Sequence, residues 1–334
     1  MPLDLAFVWA ILIAFAVLAY VVLDGFDLGI GILFPTLDDR QSRDQAMNSV
    51  APVWDGNETW LVLGGGGLLA VFPLAFAIIL PALYAPVTAM LIGLILRGVA
   101  FEFRWRTERG KFLWDWAFFG GSLIAAISQG LMLGALVQGI KVEGRAYGGG
   151  WWDWLTPFSL MTAAALVIGY ALLGAGWLIL KTEGDLQRHA RALARPLAWA
   201  LIAAIGIVSL WTPFLDPRFM DRWLSWPAIF YVAPVPLLTL AAAVRLLLSI
   251  RDGHEREPFL ATLALFVLCY VGLGISLYPH IVPPTITIWD AAAPDKSLSL
   301  LLYGAVVLIP LILAYTAYSY WVFRGKVDPH GGYH

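Results

Sequence analysis

The chain has 334 residues, of which 60 % are hydrophobic and 13 % charged, and its mean hydropathy is +0.78. That composition excludes an ordinary soluble domain and implies an all-α polytopic membrane protein. A net charge of −2 gives no basis for nucleic-acid binding. The single cysteine, Cys269, excludes an intrachain disulfide and any multi-cysteine metal or iron–sulfur site.

Nine apolar stretches are long enough to cross a hydrocarbon core of about 30 Å. They run over about 5–34, 57–76, 78–103, 113–140, 155–180, 193–213, 225–250, 258–279 and 298–323. The first has no basic leader and is too long for a signal peptide, so it reads as a retained helix. Pro73, Pro81 and Pro86 interrupt the second and third, and a hairpin buried in protein is the alternative there. With the N-terminus outside, only five of the 21 Lys and Arg fall on the outer side: Lys141, Arg145, Arg218, Arg222 and Lys296. Arg97 lies within a span, and the remaining fifteen fall inside. This bias supports nine spans with the N-terminus periplasmic and the C-terminus cytoplasmic. Trp151, Trp152 and Trp154 then form an outer aromatic belt. The Pro-rich outer segment 280–297 is expected to pack on that face. The whole chain reads as one integral membrane domain, with two four-helix bundles plus one peripheral helix as the expected grouping.

Five charged residues lie in or beside the first three stretches: Asp24, Asp27, Asp55, Arg97 and Glu102. The topology brings all five to the inner membrane edge. Intramembrane charge is expensive and persists mainly where it moves ions, binds something or pairs. Two readings stand: a proton-uptake mouth with its ion pairs, or an inert structural network in which Asp24 and Asp27 cap a helix or pair with Arg97. Asp55-Gly-Asn-Glu58 also resembles a capping box, with Asp55 as N-cap and Glu58 at N3. Glu58 is therefore assigned to capping, and Asp55 is open between capping and proton exchange.

Gly64–Gly67 implies close helix packing, or less readily a quinone or porphyrin edge, since each helical Gly costs roughly 1 kcal/mol against Ala. Gln129 and Gln138 are expected to make helix–helix hydrogen bonds. His189, His254, His280, His330 and His334 all fall in loops or the tail. No intramembrane His or Met pair is evident, so this chain is not expected to ligate a haem, and any haem belongs to another subunit.

Four runs carry a family resemblance. Asp24-Gly-Phe-Asp27-Leu-Gly-Ile-Gly31, Asn48–Trp60 with its Trp54-Asp55-Gly-Asn57 core, Arg97-Gly-Val-Ala-Phe-Glu102-Phe-Arg104, and Ile281–Pro294 resemble, in order, the motifs of subunit II of cytochrome bd-type quinol oxidases. The short form and the Glu at 102, where many relatives carry Asp, look closer to the cyanide-insensitive branch. The resemblance implies a terminal oxidase that oxidises quinol and reduces O2 to water, forming a proton gradient without pumping. It implies haems b and d bound by the partner subunit I, and in some members a structural quinone and a small single-span accessory subunit. By position Asp55 matches the family acid at the cytoplasmic channel mouth. Asp24, Asp27 and Glu102 match its neighbours, and Trp54, Asn57, Glu58 and Arg97 match motif residues. The alternative is a stand-alone proton-coupled transporter.

Overall fold

A computed structural model describes residues 4–328. His330 and His334 lie outside them. Asp4 opens the first element by accepting from the Phe7 backbone N–H at 3.0 Å, which caps α1 (Leu5–Leu33). At about 1.5 Å per residue this helix outruns the hydrocarbon core, so Asp24 and Asp27 lie towards the face opposite its start. A 3-10 turn at Phe34–Thr36, holding Pro35, ends it. The polar helix α2 (Arg40–Asn48) lies at that far face, and α3 (Trp54–Val71) returns.

At Phe72 the chain leaves the helical region (φ −123°, ψ 62°), as expected of a residue preceding proline. Beyond it α4 (Pro73–Ala82) is bent by 119° from α3, and α5 (Tyr84–Arg106) crosses back. This corrects the segmentation read from hydropathy. The expected stretch 57–76 stops at Val71, and 78–103 begins at Tyr84. The apolar residues between them form a short helix packed beneath two hairpins at the N-terminal face.

The remaining long helices are α6 (Lys111–Gln138), α7 (Pro157–Lys181), α8 (Gly184–Trp211), α11 (Pro234–Arg251), α12 (Glu257–Leu277) and α14 (Asp295–Val322). Short helices α9 (Pro217–Leu224), α10 (Ala228–Val232) and α13 (Ile288–Ala291) lie between them. The expected stretch 225–250 is broken before Pro234, and α8 begins nine residues before 193. Its added turns carry Arg188 and His189, so His189 lies on a helix end instead of a loop. Its Nε2 is 3.0 Å from Thr36 Oγ1. Among the described residues eight helices are long and apolar enough to cross a membrane, and α3 with α4 forms a ninth, broken candidate.

Helix α1 packs against α3, α6 and α7; α5 packs on α6, and α7 on α8 and α12. Helix α14 touches mainly α1 and α3 and leaves most of its surface exposed. The α1–α7 crossing depends on two glycines. A Cβ on Gly29 would lie 1.8 Å from the Tyr170 carbonyl oxygen, and one on Gly174 would lie 2.5 Å from the Gly29 carbonyl carbon. Small residues let membrane helices approach this closely. The Gly64–Gly67 run is looser. A Cβ on Gly64 or Gly67 would lie 3.3 or 3.5 Å from Val17 or Ile13 of α1, and one on Gly65 or Gly66 would meet nothing within 4 Å.

The N-terminal face is closed by two hairpins, β1 (Val142–Glu143) with β2 (Ala146–Tyr147), and β3 (His280–Val282) with β4 (Ile286–Thr287). The segment 280–297 packs there. Trp289 Nε1 donates to Asp4 Oδ2 at 2.8 Å, Ala293 N to the Val71 carbonyl at 2.8 Å, and Ile140 N to the Pro283 carbonyl at 2.8 Å. The Phe7 N–H and the Trp289 indole hold the Asp4 carboxyl below the ordinary aspartate range.

Two outcomes follow. Gly29→Ala overpacks the α1–α7 crossing and lowers stability by about 1–3 kcal/mol. Gly206→Ala, where a Cβ meets nothing within 4 Å, is neutral or stabilising. Thermal unfolding in one detergent compares the two. Because folding depresses the Asp4 carboxyl, its contribution is present at neutral pH and is lost as pH falls through the folded value, below about pH 4. A change in tryptophan emission over that range, absent in Asp4→Asn, is the expected signature.

Candidate functional site

One guanidinium organises the far end of α1, α3 and α5. Arg97 is fully buried on α5, and its Nη1 lies 2.6 Å from Asp24 Oδ1 of α1, itself fully buried. Its Nη2 donates to Glu58 Oε1 of α3, whose side chain is 26 % exposed. Asp27 sits three residues beyond Asp24, on nearly the same face of α1. It is fully buried, and its Oδ2 accepts from Asn57 Nδ2 at 2.8 Å. The same Asn57 amide donates to the Leu23 carbonyl at 3.2 Å, and Asn57 Oδ1 accepts from the Tyr320 hydroxyl of α14 at 2.9 Å. Asp27 Oδ1 and Arg97 Nε have no partner among the described residues.

A second chain of hydrogen bonds begins beside Asp24, at Tyr20, one turn earlier on α1. Gln129 Nε2 donates to the Tyr20 hydroxyl at 2.9 Å, and the Tyr170 hydroxyl donates to Gln129 Oε1 at 2.7 Å. Gln129 of α6 thereby joins α1 and α7, the helix–helix role expected of it. Gln138 Oε1 likewise accepts from Thr156 Oγ1 at 2.5 Å, across to the start of α7. Trp54 stacks on Phe101 of α5 (centroids 4.7 Å apart, planes 7° from parallel) and fixes the start of α3 against α5.

Of the five charged residues expected to converge, three do. Asp55 is exposed, in the first turn of α3, and Glu102 is exposed on α5. Five positions turn a helix by about 500°, so a residue five after Arg97 points well away from Arg97's buried side. Glu102 instead lies 3.9 Å from Arg106, one turn on. The capping reading is also corrected. The N-cap of α3 is Val53, with no side-chain cap bond. That leaves Asp55 as a first-turn carboxylate favoured by the helix dipole. Glu58 is turned inward to Arg97, not back to the helix start.

Sequence reasoning missed a second cluster. Arg104 is buried, and donates through Nε to Asp115 Oδ1 at 2.5 Å and through Nη1 to Asp44 Oδ1 at 2.6 Å. Arg43 reaches Asp115 at 3.0 Å and Lys111 reaches Asp44 at 3.2 Å, so α2, α5 and α6 are tied together. The signal was available: Arg104 follows Arg97 by seven residues, about two turns, on one face of α5.

A profile of the family described as cytochrome bd terminal oxidase subunit II matches residues 5–323. The chain belongs to that family. Relatives include cytochrome bd-I ubiquinol oxidase subunit 2 of Escherichia coli K12, 28 % identical across 97 % of this chain and 95 % of that protein. Cytochrome bd ubiquinol oxidase subunit 2 of Bacillus subtilis is 28 % identical across 96 % of each. The fold matches a chain in the structure of bd oxidase from Geobacillus thermodenitrificans with a TM-score of 0.73, at 18 % identity over 96 % of this chain and 99 % of that one. The protein is thus a multi-pass member of a terminal oxidase complex in the bacterial inner membrane. Haems belong to that complex, and family membership implies a subunit I partner. Among the described residues no group of three or more His, Cys, Asp or Glu could hold a metal ion.

Removing Arg97 leaves Asp24 without its cation in a low-dielectric site. Arg97→Ala is expected to lower stability by about 3–5 kcal/mol, and Glu58→Gln, at the partly exposed end, by less than half of that. Yield and unfolding temperature of the purified complex measure both.

Proposed function

We propose that this chain is the scaffold subunit of a cytochrome bd-type quinol oxidase and that its Arg97 cluster takes part in proton uptake from the cytoplasm. One observation carries the reading: carboxyls of graded exposure descend on a single guanidinium. Asp55 is open to solvent, Glu58 follows at i+3 and is partly exposed, and Asp24 and Asp27 are fully buried. One cation faces three carboxyls there, so electroneutrality in a low-dielectric interior needs two protons shared among them. Such a cluster accepts and releases protons with little rearrangement.

In this reading Asp55 gathers protons at the mouth and Glu58 passes them inward. Arg97 keeps the buried acids in register, and the Tyr20–Gln129–Tyr170 chain, which begins one turn from Asp24, leads towards the interior. Asp27 Oδ1, which accepts no hydrogen bond, is free to take a proton. Glu102 is outside this network. The face bearing the cluster is cytoplasmic and the N-terminus periplasmic, supported by the Lys and Arg bias. In this reading α1, α3, α5 and α6 form one group and α7, α8, α11 and α12 the other, with α14 peripheral, although α1 and α6 also pack on α7 across the division. The partner subunit I holds haems b and d and oxidises quinol, while O2 becomes water. The three described histidines lie near the start of α8, in the loop before α12 and in β3, none in the middle of a long helix, which supports that division. A structural quinone and a small accessory subunit are compatible additions. Family membership leaves the stand-alone transporter without support.

The test is turnover per haem in the purified complex, with haem read by an optical difference spectrum. Glu58→Gln and Asp24→Asn are expected to lower turnover per haem tenfold or more, and Asp55→Asn to lower it less, because an exposed carboxylate is partly replaced by water. Full turnover per haem in both Glu58→Gln and Asp24→Asn would reduce the cluster to a structural staple.

A further inference from the structure

Helix α14 is the most exposed of the long helices, yet its last turn is held firmly at the cluster's face. The Tyr320 ring packs edge-on against Phe26 and Trp177, with centroids 6.4 and 6.2 Å away, while its hydroxyl meets Asn57. Beyond the helix the chain folds under the end of α7. Lys181 Nζ donates to the Phe323 carbonyl, Val327 N to the Lys181 carbonyl at 2.8 Å, and Lys326 Nζ to the Thr182 carbonyl at 3.0 Å. Lys326 also pairs with Glu255 at 3.0 Å, and Gln45 Nε2 of α2 donates to the Val327 carbonyl at 3.4 Å. Lysine at a helix C-terminus meets the unpaired carbonyls and the negative end of the dipole. Residues 323–327 are thus a strap that anchors α14 to α7, α2 and the loop before α12.

The strap has a chemical consequence at Asn57. The Leu23 carbonyl, which can only accept, and Asp27 Oδ2 take the Asn57 NH2, so Asn57 Oδ1 is left to accept from the Tyr320 hydroxyl. Linked hydrogen bonds polarise one another, so the Tyr320 hydroxyl strengthens the amide as a donor to Asp27. Without that hydroxyl Asn57 Oδ1 loses its donor, and the amide is held less firmly against Asp27. We propose that Tyr320, held by the 323–327 strap, is a positioning residue that sets the proton affinity of Asp27 by holding and polarising the Asn57 amide that donates to it. This rests on the proton-uptake reading and adds to it a second route of control, from the peripheral helix and the tail.

The experiment uses the purified complex with Tyr320→Phe, Asp27→Asn and the double variant, with Tyr318→Phe as a control on the exposed side of the same helix. Tyr320→Phe deletes one hydroxyl and keeps the ring packing. It is expected to lower turnover per haem about two- to tenfold, the size of one hydrogen bond, and to displace the pH profile. It should also shift the infrared carboxyl band that Asp27→Asn removes, a readout independent of turnover. Both effects should vanish in the Asp27→Asn background, because Tyr320 acts only through Asp27. Tyr318→Phe should change neither. If Tyr320→Phe assembles poorly, Lys326→Ala, which loosens only the strap, should shift the same band by less. An unchanged band and profile in both variants, with Asp27→Asn still impaired, overturns the positioning role and leaves the proton-uptake reading standing. Full turnover and an unchanged profile in Asp27→Asn overturns the proton route through Asp27 and this inference with it.

Discussion

A single buried guanidinium sets the arrangement around which the far end of the molecule is built. Arg97 sits where a free charge would be expelled, so it requires carboxylates close at hand on other helices. Asp24 on α1 and Glu58 on α3 meet that need, and in doing so fix the rotation of three helices about their axes. Apolar contacts alone specify rotation weakly in lipid, because a helix can offer one greasy face as well as another. The glycines of the first-helix motif serve the same end. Gly29 lets α1 meet α7 backbone to backbone, which brings Tyr170 and Gln129 into line with Tyr20 and Asp24.

The two faces of the molecule divide the work. The N-terminal face is closed by short hairpins, backbone hydrogen bonds and tryptophans, with Asp4 and Trp289 clasping the first helix to the segment 280–297. The opposite face gathers the buried ions, the polar helix α2 and the strap behind α14. Among the described residues, non-helical backbone joins the long helices at these two ends, where polar backbone can be satisfied.

The spans were readable because about 20 apolar residues leave a strong signal, and so was the existence of a charged cluster at one edge. Failures came from rotation and from proline. Asp55 and Glu58 are both acidic, three residues apart, and the string of letters does not say which faces inward. The capping pattern favoured the wrong one, because the helix starts at Trp54, two residues earlier than an Asp55 cap requires. Glu102 was counted by depth although it lies on another face from Arg97, an error that turning the helix by 100° per residue would have caught. Helix α4 has a spanning composition but lies bent beneath the hairpins, since only tertiary contacts with β2, β3 and α13 decide its direction. The Arg104 cluster hid in what looked like a loop of inner basic residues.

Comparing the two ion clusters clarifies what the first is suited to do. Around Arg104, two carboxylates meet three cations, every acid has a cation within 3.2 Å, and most of the partners reach solvent. A cluster with that balance leaves no acid without a cation and serves as a staple. Around Arg97 the ratio is reversed, with three carboxyls to one cation and two of the acids sealed from water. A purely structural pair would need one acid, and each further buried carboxyl adds repulsion that only a proton relieves. The surplus acids, with the tyrosines and amides arranged around them, go beyond what holding helices together needs, and the proposed proton uptake would give them a use. That contrast, drawn between two clusters of the same α5 helix seven residues apart, argues for function at Arg97 more directly than the expense of intramembrane charge alone.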